Sequence, residues 1–340
     1  MAKIDLSIEN LRTKKASEKR AWGKFIRLFL LIVFLFFVGN LFVQIPPLIK
    51  KIQRPFETYG KGFANSKKLD LSSRASLLLL NYDREGRLEQ AWVATYEASG
   101  KQISFVIIPT EIPITTKLDR KLSLRELIQE DFDRAFWEVA TLVGSPLEGY
   151  VAFSDSSRFS QESILSARKS VLSLGFFLTL SAQKSWLDGH LKTNLTLGDL
   201  FNVFRSFKAV STEALNFVDL GESVTGSSFD NEKLTNQTKP IFIDSEVADE
   251  AASVKIINGS QVPGAGALFK RLVTNLGGRV VGVDSQKSSA TIIKVSTDKK
   301  KLATKISRFL DTKVEREKGE PAADVVIILG ADLVKKLDLN

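Results

Sequence analysis

No cysteine occurs in the 340 residues, and histidine occurs once, as His190. The first absence removes disulfide frameworks, thiol nucleophiles and Cys-based metal sites. It excludes the small disulfide-stapled secreted class but does not locate the protein, since larger domains need no bridges. The second absence means that any His-centred triad or zinc site has to be built around one ring. His190 lies in Leu187-Asp-Gly-His-Leu191, with Asp188 close by but no serine placed as a nucleophile, and it reads as a surface turn histidine.

What is present is charge and apolar content. The net charge of +9 points to an anionic partner. Outside a membrane that means acidic polymer or phospholipid head groups before nucleic acid. The 44% hydrophobic content supports real cores, and the length allows about two domains of roughly 150 residues once a tail and anchor are set aside.

One stretch organises the chain: Leu28 to Ile45, LFLLIVFLFFVGNLFVQI, uncharged over its whole length. As a helix it would rise roughly 27 Å, close to a bilayer's hydrocarbon core. The upstream flank holds Lys3, Arg12, Lys14, Lys15, Lys19, Arg20, Lys24 and Arg27, a heavier basic load than the Lys50, Lys51, Arg54 and Lys61 that follow. The heavier flank stays cytoplasmic, so everything after Pro46 is expected on the outer face of the cell membrane. A cleaved signal peptide fits less well, because the run is long and no A-x-A site follows. Residues 1–27 then form a cytoplasmic basic tail, 28–45 the transmembrane helix and 46–70 a juxtamembrane spacer.

Between 71 and 221 apolar strands alternate with helical patterns, which predicts a layered α/β domain. Strands are expected at Ser76–Asn81, Glu89–Tyr96, Gln102–Ile108 and Gly149–Phe153. Helices are expected over 122–144, about 158–187 and, after a Thr196 cap, about 197–207. Residues 222–253 read as a linker of Gly, Ser, Thr, Asn and acids. From 254 to 340 the pattern is β-α-β-β-α-β, ferredoxin-like in arrangement, with Asp298 capping its second helix.

Two groups of residues are candidates for chemistry. Asp83, Arg84, Arg87, Glu89 and Glu111 lie at the ends of apolar strands, where α/β sites are built. Carboxylates and arginines there are the groups that hold a metal-bound pyrophosphate, Asp83 being the candidate metal ligand. The plainer reading, that turns are charged, is favoured by composition and spacing. The second group is basic. Gly264 sits in a turn that opens a helix; the Lys299, Lys300 and Lys301 run reads first as a solvated face, and with Lys270, Arg271, Lys294 and Lys305 it is the alternative of a patch for an acidic polymer. The Gly264 turn matches neither a dinucleotide fingerprint nor a Walker loop, so a structural role is favoured there as well.

At these residues a resemblance enters. The stretch VKIINGSQVPGAGALFKRLVTNLGGRVVGVDSQ, with DVVIILGADL later, resembles the LytR C-terminal domain over about 85 residues. Its spaced marks fall in order at Val254–Ser260, Gly264–Ala267, Gly278–Gly282 and Asp324–Asp332. In many bacterial proteins that domain follows a LytR-CpsA-Psr (LCP) catalytic domain, and residues 71–221 are faintly similar to it. Asp83 matches the G-x-D-x-R aspartate, Asn81 stands for its glycine and Glu85 for its arginine. Arg87-Leu-Glu89 resembles R-S-D, and Thr110 stands where the P-R-D arginine belongs, with Glu111 for its aspartate. LVGSPLEGYVAFS resembles the later strand, and the segment between that strand and the late helices is far shorter than in the family.

The resemblance implies a membrane-anchored envelope protein acting on polyprenyl-diphosphate-linked glycopolymers and peptidoglycan, with magnesium if it is an active phosphotransferase. Each lost charge-assisted phosphate contact is worth about 1.5–3 kcal/mol. The expectation is therefore a degenerate, non-catalytic binder or scaffold with no cofactor of its own. An active LCP-type phosphotransferase and a structural partner of an active paralogue are the alternatives. The expected partners are the membrane, an anionic wall polymer or polyprenyl-linked precursor, and other envelope proteins, with no nucleic acid.

Overall fold

The computed structural model describes residues 56–60, 69–115, 121–154, 159–170, 191–226, 228–296, 298, 300–317 and 322–336. Leu28–Ile45, His190, Lys299 and the later part of the 158–187 helix lie outside these. Among the described residues no helix is long and apolar enough to cross a membrane. Residues Pro55–Asn340 form one compact unit.

The first sheet is built from β1 (Ala75–Tyr82), β2 (Leu88–Glu97) and β3 (Gln102–Ile108). A small ribbon of β4 (Pro113–Thr115) and β5 (Lys121–Ser123) leads into α1 (Leu124–Glu130), α2 (Phe132–Val143) and β6 (Gly149–Ser154). After α3 (Gln161–Ser170) come β7 (Leu191–Thr193), α4 (Leu197–Ala209) and β8 (Leu215–Asp219). The order is β7-β6-β1-β2-β3-β8, with β1 and β6 parallel and β1, β2 and β3 an antiparallel meander. Both faces are covered, so the strands are apolar on both sides. Leu78, Leu80, Val93 and Val106 pack under α1 and α2, while Leu77, Leu79, Phe105 and Val151 face the α3 and α4 side.

Helix formation over 122–144 is real but interrupted. Asp131 is extended (φ −153°, ψ 105°), ends α1 and caps α2 by accepting from the Arg134 N–H. Thr196 caps α4 in a reciprocal box with Asp199.

The stretch read as a linker is folded. After the short β9 (Val224–Thr225) and β10 (Ser228–Phe229) ribbon come α5 (Asn231–Phe242) and α6 (Ser245–Glu250). Leu234 and Phe242 are fully buried in the first core and Val247 in the second. Polar composition concealed two helices because only three or four positions carry the docking.

The last region holds β11 (Ser253–Asn258), α7 (Ala265–Asn275), β12 (Arg279–Ser285), β13 (Ile292–Val295), α8 (Lys301–Leu310), β14 (Val314–Arg316), β15 (Val325–Leu329) and α9 (Ala331–Lys336). The strand order is β12-β11-β15-β13-β14. This is not the ferredoxin-like arrangement expected. β11 and β12 are adjacent and parallel, whereas a split βαβ unit would place another strand between them. β14 is an added edge strand, parallel to β13. Asp298 is not the cap of α8: the Glu250 carboxylate of α6 accepts from the Lys301 and Leu302 N–H groups. A tertiary contact replaces the local one.

The two sheets share a desolvated junction. Trp137 of α2 belongs to the second core, stacked on Phe309 at 4.9 Å. Arg271 donates to the Leu142 carbonyl and Asn275 Nδ2 to that of Val143 at 3.4 Å, satisfying open carbonyls at the end of α2. Gly144 ends that helix at φ 67°, and a Cβ there would lie 2.4 Å from Asn275 Nδ2. Lys305 pairs with the buried Asp244 at 2.7 Å and donates to the Arg74 carbonyl at 2.7 Å.

Candidate functional site

The carboxyl ends of β1, β3 and β6 meet at one pole, and the charged candidates are there. Asp83 closes the β1–β2 turn. Its Oδ1 accepts from the Arg87 N–H at 2.8 Å and its Oδ2 from Arg87 Nε at 2.7 Å, while Arg87 Nη2 reaches Glu85 at 2.8 Å. Burial pushes the Asp83 carboxyl up, but the Arg87 N–H and guanidinium outweigh it and hold the acid below its ordinary range. Arg84 is exposed in the same turn, and Glu89 is half-buried at the start of β2.

Glu111 belongs to a different group. It pairs at 2.6 Å with Arg125, whose Nε donates to the Leu88 carbonyl at 2.8 Å. Thr110, where the resemblance would place an arginine, turns its hydroxyl to the Glu89 carbonyl at 3.5 Å. Arg125 is thus a guanidinium that the sequence reading missed. It lies just past the Ser123 cap in a polar helix start, and nothing local distinguishes it from a solvated helix residue. Three of the five candidates are held in ion pairs, Asp83 with Arg87 and Glu111 with Arg125, while Arg84 stands exposed in the turn and Glu89 half-buried at the start of β2. Among the described residues no three metal-binding side chains cluster, and Asp83 directs both oxygens at Arg87.

A polar space of about 260 Å³ lies between β4, α2, α5 and Arg271. The apolar cavity lies elsewhere, between the sheet and α3 and α4. It measures about 200 Å³ and is lined by Leu77, Leu79, Ala94, Phe105, Val151 and Phe153 from the strands. Phe159, Ile164, Leu200, Val203, Phe204 and Phe207 close it from the helix side. Among the described residues of the lining, only Tyr96 and Ser206 have polar side chains. The alternation of β1 places Asn81 on this face, opposite Gln90. Gln90 grips the Phe159 backbone in both directions, donating at 3.0 Å and accepting at 2.5 Å. Phe159 then sits edge-on to Trp92 and Phe153, both at 5.8 Å. An amide and an aromatic ring, not a cluster of charges, finish the cavity face toward the pole.

The basic candidates among the described residues are tied to different surroundings. Gly264 (φ 81°) precedes α7 with no side-chain cap, Lys270 is exposed, and Arg271 turns inward to α2. Lys301 pairs with Glu246 at 3.2 Å and Lys300 approaches Asp298 at 3.9 Å. The α8 N-terminus, which would have drawn a polymer anion, already holds Glu250.

No family model and no curated protein matches the chain. Solved structures are similar over about half of it. TagT bound to LIIa-WTA is 15% identical over 52% of this chain and 93% of its own, at a TM-score of 0.37. Bacillus subtilis TagV is 11% identical over 50% and 96%, at 0.38. The LytR-CPS2A-psr family protein YwtF (TagT), with bound octaprenyl pyrophosphate lipid, is 16% identical over 52% and 93%, at 0.34.

Proposed function

We propose that this chain is a membrane-anchored, extracytoplasmic envelope protein that binds a lipid-linked glycopolymer precursor without turning it over. One observation carries the reading: an apolar cavity under α3 and α4, with Arg87 and Arg125 at the charged pole each already paired with a carboxylate. The cavity suits a polyprenyl tail, which needs no polar partner and gains about 0.8 kcal/mol for each CH₂ it buries. Phosphoryl transfer, by contrast, needs free cations or a metal aimed at the pyrophosphate. Here Arg87 and Arg125 already face carboxylates, and Arg84 stands exposed in its turn outside those pairs. The Leu28–Ile45 run supplies the anchor and leaves the folded unit on the outer side of the membrane.

The test uses the full chain in detergent with a polyprenyl diphosphate, following binding and magnesium-dependent phosphate release together. Binding without release is the expected result, and Val203→Trp, which fills the cavity, should abolish it while the protein stays folded. Release that disappears in Asp83→Ala would make the chain an enzyme and overturn the reading.

A further inference from the structure

We infer that the outward face of α4 is a docking surface for the anionic bilayer that anchors the chain. The thirteen-residue helix has two apolar sides, which is unusual for a surface helix. Its inner side, with Leu200, Val203, Phe204 and Phe207, lines the cavity. On the outer side Leu197 is 48% exposed and Phe201, one turn on, is 47% exposed. Arg205 and Lys208 continue the same stripe and are also exposed. Among the described residues the other large exposed hydrophobics, Val281, Val283 and Val314, are on edge strands of the second sheet. Leucine and phenylalanine side by side, followed by bases, is the composition of a helix lying in a lipid interface.

The course of the chain supplies the occupant. Phe56 packs in the cluster that holds Leu191, Leu195, Leu200 and Phe204, and the Thr193 N–H donates to the Glu57 carbonyl at 3.0 Å. The chain therefore enters its folded unit beside α4. From Ile45 to Phe56 is eleven residues (56 − 45), which span at most about 40 Å when fully extended. A leash that short holds α4 at high effective concentration near the lipid surface, so a weak contact is enough. The inference rests on the Leu28–Ile45 anchor and not on what the cavity holds.

The absence of cysteine makes the test direct. Phe201→Cys and, as a control on the second sheet, Val281→Cys are labelled with an environment-sensitive fluorophore in the full chain. Each is reconstituted into vesicles of phosphatidylglycerol and phosphatidylethanolamine. At position 201 the expected result is a blue-shifted label, quenched by a lipid-borne quencher and shielded from iodide, whereas at 281 iodide quenches and the lipid quencher does not. Arg205→Glu with Lys208→Glu should cut lipid quenching at 201 several-fold. A label at 201 as open to iodide as that at 281 would overturn the docking face. So would one shielded from iodide but blind to the lipid quencher, because protein would then be the cover. Failure of the chain to stay with the vesicles at all would instead remove the anchor.

Discussion

The two faces of the first sheet are made of the same kinds of residue yet end differently. Leu78, Leu80, Val93 and Val106 have no exposed surface, and the helices over them are fixed from behind by the second sheet. Leu79 and Ala94, on the opposite face, line an open cavity. Apolar composition makes a face buriable, but what closes it is the number of elements pressed against it. The sheet face packed directly under α1 and α2 is closed, and the space on that side, about 260 Å³, lies between α2, α5 and Arg271. The face under α3 and α4 has no second layer behind its helices among the described residues, and it keeps room for a ligand.

This contrast can be broken most severely at the junction. Trp137→Ala removes the ring shared by α2 and the second core and should cost about 3–5 kcal/mol in urea denaturation. Lys305→Ala leaves the buried Asp244 carboxylate without its cation and should cost about 3–5 kcal/mol by the same measurement. A loss under about 1 kcal/mol in either variant would mean that the small module does not brace the first sheet.

Truncations on the two faces sharpen the comparison. Leu78→Ala should cost about 2–5 kcal/mol, whereas Leu79→Ala, beside existing space, should cost under about 1.5 kcal/mol. Equal losses would mean that the cavity is closed in solution.

Acidity probes the same junction. Burial pushes the Glu148 carboxyl up to about 7, against the pull of Lys305, the Ser76 N–H and Arg308. The folded chain keeps a proton that the unfolded chain releases near 4.5, so this contribution is whole below 4.5 and is lost as pH rises through about 7. Thermal stability should therefore fall between about pH 4.5 and 7, and Glu148→Gln should flatten the profile. An unchanged slope in the variant would assign the dependence to other groups. The smallest effect is expected at the pole, where Arg87→Ala breaks an exposed pair and should cost under about 1 kcal/mol.

The legible part of the site was its residue types and their place in the chain. Asp83 and Arg87 are readable as turn residues because Asp-Arg-Glu-Gly-Arg follows an apolar run. Glu111 is readable as a strand-end acid after Pro109. The pairing of Glu111 was not legible, because Arg125 arrives from α1 and is itself held by the Leu88 carbonyl, thirty-seven positions away (125 − 88). Arg271 looked like a surface base for the same reason. Its partner is the Leu142 carbonyl, on a helix from the other half of the chain.

The sequence by itself determined the excluded chemistries, the apolar run at Leu28–Ile45, the alternation of strands and helices, and local devices such as the Thr196 cap. Each of these depends on neighbours a few residues away, through backbone geometry and side-chain period. Only the tertiary structure decided the strand order of the small sheet, the docking of 231–250, the pairing of the charged candidates and the cavity under α4. Those depend on which distant surfaces compete to exclude water, and no local pattern encodes the outcome.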